Sequence, residues 1–223
     1  MTTLAQLRDK TQLALADAAG ATWPDATVED WLIDAIREFP ILRPRQSAQK
    51  SSAGVHAYDL PADFSEVISV EYPLDQEPKA YLLRFSHYRQ EFWANDGYFD
   101  IERDFHAGKD FELWISNNLA SDEDIYVNYM ARHDTELVGT STITVPDRYL
   151  NILVLFAVWR AFQERLAAQT KSPTEFNQIL GQLSGQVREA EEAYRRALAQ
   201  ALSEQSTLSR TAPHKADRYD RIY

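Results

Sequence analysis

Paired carboxylates are the side chains of this sequence best suited to acid–base chemistry. Asp100 lies two residues before Glu102, and Asp122 lies two residues before Asp124. Two carboxyl groups held several ångströms apart can serve as general acid and as base or nucleophile, as glycoside hydrolases use them. With 34 acidic residues in the chain, however, such pairs are expected on the surface without a catalytic role. The spacing alone identifies no catalytic residue.

Metal-binding and nucleotide-binding motifs are absent from the sequence. It has no cysteine, and its five histidines include neither an HExxH arrangement nor another pair at i, i+4. The seven glycines form no GxGxxG, GxxxxGK[ST] or GxSxG motif. We therefore expect no catalytic residue, no metal site and no cofactor, and a protein that is not an enzyme.

Three aromatic residues in the middle of the chain have the chemistry to stack on a sugar ring. Trp93, Tyr98 and Trp114 fall in or beside predicted strands, where they can share one sheet face. Aromatic residues at alternating strand positions also fill protein cores. A carbohydrate-binding module or a glycan hydrolase that uses this face is therefore the alternative function.

These candidate residues belong to an acidic middle segment, residues 46–145. It holds 15 of the 26 aromatic residues and a formal charge of −11, equal to that of the whole chain. Its short apolar runs, separated by turn residues, predict several strands in a sandwich or barrel, with a hairpin turn at Asp96-Gly97. Residues 44–54, at the start of this segment, predict a loop or linker.

Residues 1–45 predict two helices. In the second helix, apolar residues recur at i, i+3, i+4, i+7, i+8 and i+11, which places them on one face, and Pro40 ends the pattern. These residues are Val28, Trp31, Leu32, Ala35, Ile36 and Phe39.

Residues 146–205 predict a helix pair. The first helix, residues 149–166, is apolar around most of its circumference, which is typical of a helix covered by neighbours on several sides. The second repeats apolar residues at alternating steps of four and three, which predicts lengthwise packing on another helix. The residues with that spacing are Phe176, Leu180, Leu183, Val187, Ala190, Tyr194, Ala197 and Ala201.

Two glycines interrupt this long helix. Gly181 and Gly185 each cost about 1 kcal/mol relative to alanine in a helix interior, so a close approach of another backbone is the favoured explanation, and simple tolerance is the other. We expect these glycines, with Leu183 and Val187, to pack between helices.

Residues 206–223 depart from the heptad pattern. This segment has a proline, few aliphatic residues and mixed charge, so alone it does not bury enough apolar surface to become ordered. Aromatic, arginine and apolar side chains near its end are candidate anchors for ordering on a partner: Arg218, Tyr219, Arg221, Ile222 and Tyr223.

Together the four segments predict an α+β fold. Helices from both ends of the chain, residues 1–45 and 146–205, form a helical bundle. Residues 46–145 are inserted as an antiparallel β-sandwich or barrel-like segment, and residues 206–223 form an extended C-terminal tail.

Five short stretches mark the order of these segments: WLIDAIREF at 31–39, YDLPADF at 58–64, ELWI at 112–115, YVNY at 126–129 and VPDRY at 145–149. Their order and spacing over residues 1 to about 205 resemble the head-to-tail adaptor proteins of tailed bacteriophages, also called connector or neck proteins. Each stretch alone is only an apolar pattern with a proline or an aspartate.

The resemblance implies a structural virion protein without catalytic residues. Copies would form a ring, typically dodecameric, that sits on the portal protein at the capsid vertex and offers the tail a docking surface. The implied partners are the portal protein, tail or neck proteins and further copies of the chain. The implied location is the virion neck, after assembly in the host cytoplasm, with no part played by a membrane.

Adaptors of this family often carry a C-terminal extension that docks into the portal. The resemblance thus implies that the terminal anchors, Arg218, Tyr219, Arg221, Ile222 and Tyr223, bind the portal. The acidic middle segment agrees with a DNA conduit, because negatively charged walls do not hold phosphates. DNA is expected to pass through the ring without specific binding.

Overall fold

A computed structural model of the chain describes residues 1–74, 77–103, 111–117, 119, 122–169 and 176–211. The chain divides into two units. The helical unit comprises Met1–Ile41 and Asp134–Tyr223, and the strand unit, Leu42–His133, is inserted between these two parts of the chain. The predicted α+β class is confirmed, since long helices build the first unit and two β-sheets build the second.

The elements follow one another in a simple order. The described helices are α1 (Leu4–Ala14), α2 (Asp25–Glu38), α3 (Gln90–Ala94), α4 (Leu150–Gln169) and α5 (Phe176–Thr211). The described strands are β1 (Arg43–Lys50), β2 (Ala57–Asp59), β3 (Phe64–Glu71), β4 (Leu83–Arg84), β5 (Tyr98–Glu102), β6 (Glu112–Ile115) and β7 (Asp124–Ala131).

The core of the helical unit lies between α1, α2 and α4. All six residues of the predicted apolar face of α2 are buried, which confirms that face. Helix α4 is also buried on most sides, as its apolar circumference predicts. Leu4 and Leu7 of α1 are fully buried in the same cluster, and a capping box between Thr3 and Gln6 fixes where α1 begins.

Helix α5 packs along α4 through its heptad face. Leu183, Ala190 and Ala201 are buried and the intervening Val187, Tyr194 and Ala197 are half-buried, which confirms the predicted face over the described side chains. The side chains of Phe176 and Leu180 lie outside the described residues.

The long helix runs further than its heptad pattern. Helix α5 ends at Thr211, whereas the sequence pattern predicts an extended tail from residue 206 onwards, so the first six residues of that segment are helical. No helix breaker stands between Ser206 and Pro213, and propensity alone allows a helix once packing has nucleated it.

The strand unit contains two sheets that share one core. The three-stranded sheet has the order β1-β7-β3 and the four-stranded sheet the order β2-β6-β5-β4. Alternate residues of β6 and β7 are buried, as their alternating patterns predict. Buried residues of both sheets form a single cluster, as in a sandwich: Phe64, Val70, Phe99, Leu113, Ile115, Ile125, Val127, Tyr129 and Ala131 among them.

Three details of the strand unit differ from the sequence prediction. The loop predicted at residues 44–54 is wrong over most of its length, because Arg43–Lys50 is strand β1. The hairpin at Asp96-Gly97 is wrong, because the residues before it form α3 and not a strand, although Gly97 does take a positive φ of 95°. Finally, β4 pairs with β5 in parallel, while the other strand pairs described are antiparallel.

Candidate functional site

His87 is the centre of a polar cluster on one face of the four-stranded sheet. It lies between β4 and α3 and is only 7% exposed. Its Nδ1 is 2.8 Å from Asp100 Oδ2 and its Nε2 is 3.2 Å from Glu102 Oε2. The backbone N–H of His87 also donates to Asp100, at 3.0 Å.

Aromatic rings enclose this histidine. The Trp114 ring stacks on it at 4.7 Å with an interplanar angle of 4°, and the Tyr88 ring lies at 4.0 Å. The Tyr88 hydroxyl donates to Glu102, and that hydrogen bond raises the pKa of Tyr88. Trp93 donates from Nε1 to the carbonyl of His87 at 2.8 Å. The cluster thus fixes the segment between β4 and β5 against the sheet.

The predicted sugar-binding face does not have the geometry of a platform. Trp93 is 46% exposed, but its ring is perpendicular to that of Trp114, at 88° and 6.2 Å. One face of Trp114 is already covered by His87. Tyr98 packs instead against Phe85, at 5.1 Å. Because the rings of Trp93, Tyr98 and Trp114 are not coplanar, these three described residues do not form a flat platform for a sugar ring.

Three of the four paired carboxylates, those of Asp100, Glu102 and Asp124, make structural contacts. Asp100 and Glu102 both bind His87, as above, and Asp124 forms an ion pair with Lys50 at 2.8 Å. Asp122 takes a positive φ of 65° in the turn before β7. These contacts stabilise loops and strand ends.

Asp63 joins three strands at one edge of the strand unit. It lies just before β3, and its carboxylate binds Arg43 and Arg45 of β1 and accepts a hydrogen bond from Tyr129 of β7 at 3.0 Å. Burial and this bond raise the pKa of the Tyr129 hydroxyl. In the sequence, Asp63 is one residue of the YDLPADF stretch, and nothing there indicates which residues its carboxylate meets.

The α4–α5 contact is built on aromatic rings. Trp159 stacks on Tyr194 at 5.8 Å and 13°, and Phe156 meets Tyr194 edge-on at 5.4 Å. Burial, and to a lesser extent the negative charge of Glu38, raises the pKa of Tyr194. Sequence periodicity identified Tyr194 as a packing residue but did not identify its partners.

The predicted helix-packing residues divide into two groups. Leu183 is buried and Val187 half-buried, as packing requires. Gly181 and Gly185 are exposed, and a Cβ added to either would meet no described atom within 4 Å. The predicted close backbone approach is therefore not made by the described part of this chain.

The predicted portal-binding residues lie outside the described part of the structure. Those residues are Arg218, Tyr219, Arg221, Ile222 and Tyr223. Within the described residues, no group of three or more histidine, cysteine or acidic side chains is arranged to hold a metal ion. None of the helices in that part of the chain is both long and apolar enough to cross a membrane.

The fold defines an α+β protein, in which buried and half-buried polar groups hold strands and loops in place. A family model described as SU10 adaptor protein matches residues 2–215. The chain belongs to this family and is a bacteriophage adaptor, a structural protein of virion assembly. The resemblance that the order of its segments indicates is thereby confirmed. None of the curated proteins compared with this chain matches it.

Proposed function

We propose that the chain is a head-to-tail adaptor that forms a ring, joins the portal vertex to the tail and lines the DNA passage. The observation that carries this proposal is the match to the adaptor family over residues 2–215, which covers both units of the chain. The partners are the portal protein, tail or neck proteins and further copies of the chain. The ring, which we expect to be dodecameric, occupies the virion neck after assembly in the host cytoplasm.

Helix α5 supports contact between copies. Gly181 and Gly185 are exposed one turn apart, and open space within the described residues surrounds the position of a Cβ at each. Glycine in a helix interior is unfavourable, so a surface that retains two of them is suited to close approach by a helix of a neighbouring copy. Leu183 and Val187 each lie two residues after one of these glycines, on the opposite side of the helix, and they belong to the heptad face that packs along α4.

The charge distribution supports passage of DNA without binding. The segment 46–145 carries the whole formal charge of the chain, −11. Carboxylates repel phosphates, and non-specific DNA affinity comes mostly from cationic side chains. A ring with this composition offers the DNA no strong site.

The C-terminal segment supplies the contact with the portal. This segment combines two arginines and two tyrosines, residue types that are enriched at the hot spots of protein interfaces, with one aliphatic anchor; the residues are Arg218, Tyr219, Arg221, Ile222 and Tyr223. Helix α5 ends at Thr211, so a chain that stops there loses these anchors and keeps the helix.

Co-sedimentation with purified portal rings tests this function. The full chain is expected to sediment with the portal, and a chain that ends at Thr211 is expected to lose most of this binding. A full-length variant with Arg188 and Arg195, two exposed arginines of α5, changed to alanine is the control for lost positive charge. Absence of the full chain from the portal fraction would contradict the adaptor function. Equal binding by the shortened chain would contradict only the role of the C-terminal segment.

A further inference from the structure

Strand β1 is an edge strand with one neighbour in its sheet. The order β1-β7-β3 leaves the far side of β1 without a partner strand among the described residues. Its eight residues pair with β7 in unbroken antiparallel register, from Arg43 opposite Ala131 to Lys50 opposite Asp124. The other edge strand, β3, has two register shifts. Part of its outer edge is already bonded, because the Leu82 N–H donates to the Val70 carbonyl. β1 is therefore the more regular edge.

The hydrogen bond made by the residue after β1 shows which residues of β1 bond to β7. The Ser51 N–H donates to the Glu123 carbonyl at 2.9 Å. In an antiparallel pair every second residue exchanges both backbone bonds with its partner. Residues 43, 45, 47 and 49 therefore bond to β7, and residues 44, 46, 48 and 50 direct their backbone groups outward.

The outward groups form a regular row. Gln46, Ala48 and Lys50 each present an N–H and a carbonyl, and Pro44 presents a carbonyl. No backbone bond from these four residues to the rest of the described chain is found beyond the β7 ladder, and all four are exposed. Pro44 sits where its missing N–H costs no bond in the sheet, which is the position that proline takes on an edge strand.

The charge of β1 is opposite to that of the chain. Its sequence, RPRQSAQK, holds three cations and no carboxylate, whereas the chain carries −11. The Lys50 side chain is 59% exposed, although it pairs with Asp124. Exposed pairs of this kind exchange partners at little cost. A second copy of β1 would bring six cations together, so the complementary occupant is acidic.

We propose that the open edge of β1 binds an extended, carboxylate-bearing segment of a partner protein as an added strand. Backbone bonds to residues 44, 46, 48 and 50 supply the affinity, and a carboxylate on the outer face of the added strand pairs with Lys50. The outer face already carries a row of hydrogen-bonded amide and hydroxyl groups, in which Gln46 donates to Asn128 at 3.0 Å and Asn128 donates to Ser69 at 3.1 Å. An added strand extends this row by one position beyond Gln46.

Amide hydrogen exchange tests the proposal. The probe is a peptide of alternating threonine and glutamate. The comparison is the same peptide with lysine in place of each glutamate. With the acidic peptide, exchange of the Gln46, Ala48 and Lys50 amides is expected to slow about tenfold or more, because they become bonded. The amides of Ser47 and Gln49 are protected with or without the peptide.

Two variants test which groups of β1 bind the peptide. Ala48→Pro removes an outward N–H and no bond to β7, so Ser47 and Gln49 stay protected while the peptide loses its effect on Gln46 and Lys50. Lys50→Glu is expected to weaken binding of the acidic peptide, and Lys10→Glu, at an exposed position of α1, is the control with the same change of charge. Lys50→Glu also serves if Ala48→Pro does not fold.

Three outcomes would overturn the proposal. The first is unchanged exchange at Gln46, Ala48 and Lys50 with saturating acidic peptide, and the second is equal slowing by both peptides. The third is slowing that appears without peptide as the protein concentration rises, which would identify a second copy as the occupant. All three readouts are independent of the portal, so they do not depend on the adaptor function.

Discussion

Asp63 ties the start of β3 to both other strands of its sheet. Its carboxylate is 20% exposed and meets two guanidinium groups and one hydroxyl, from Arg43, Arg45 and Tyr129. A carboxylate with several partners at one place stabilises a unit more than an exposed single pair does, because its loss leaves several groups without a partner. His87 has the equivalent role in the other sheet.

Loss of the Asp63 carboxylate should destabilise the strand unit. Asp63→Ala removes the partner of Tyr129 and of both arginines, and we expect the free energy of unfolding to fall by about 2 kcal/mol. Urea denaturation measures the change. The control, Asp9→Ala, removes an aspartate that is 62% exposed in its pair with Arg8, with an expected effect below about 0.5 kcal/mol. Equal effects of the two variants would contradict the role assigned to Asp63.

Tyr72 should make the stability depend on pH in the alkaline range. Burial, and then its hydrogen bond to Glu123, raise the pKa of Tyr72 to about 12 from an ordinary 10.0. Below pH 10 the phenol keeps its proton in both states, so its contribution to stability is complete. As the pH rises from 10 towards 12, the unfolded state ionises first and the free energy of unfolding falls.

The variant Tyr72→Phe isolates this effect. The difference in unfolding free energy between the original chain and the variant should shrink across pH 10 to 12. Denaturation curves recorded at several pH values in this range measure it, with Tyr81→Phe, at an exposed tyrosine, as the control. A difference that stays constant over this range would refute the prediction.

At the scale of elements, hydrophobic periodicity predicted which faces of the helices and strands are buried. The faces of α2 and α5 and the alternation in β6 and β7 follow directly from the spacing of apolar residues, because each element buries one side. Strand β1 gave no such signal, since six of its eight residues are polar or charged and pairing with β7, not burial, holds it. The partners of His87 and Asp63 come from distant positions in the sequence and depend on strand register, which local patterns do not encode.

Substitutions of the two glycines of α5 should have opposite effects on the stability of the chain and on its assembly. Gly181→Ala and Gly185→Ala should each raise the helix stability of the isolated chain by up to about 1 kcal/mol, because no described atom obstructs the added methyl group. If these glycines contact a neighbouring copy, the same variants weaken ring formation. Thermal unfolding and analytical ultracentrifugation measure the two effects. Gln186→Ala, on the exposed face of the same helix, is the control.

At the scale of the whole molecule, the order of segments was the most informative property of the sequence. No single motif identified the protein, because a structural adaptor requires surfaces and not a fixed set of reactive groups. The order of helices, strands and returning helices nevertheless agreed with the family that matches residues 2–215. The proposed interfaces between copies and with the portal involve other chains, so the sequence of one chain predicts their residue types and not their contacts.

Electron cryomicroscopy of the full chain mixed with the portal protein tests the adaptor function most directly. The account predicts a second ring stacked on the portal, coaxial with its channel, with helix α5 at the contacts between copies. A portal that remains bare at saturating concentrations of the chain would contradict it.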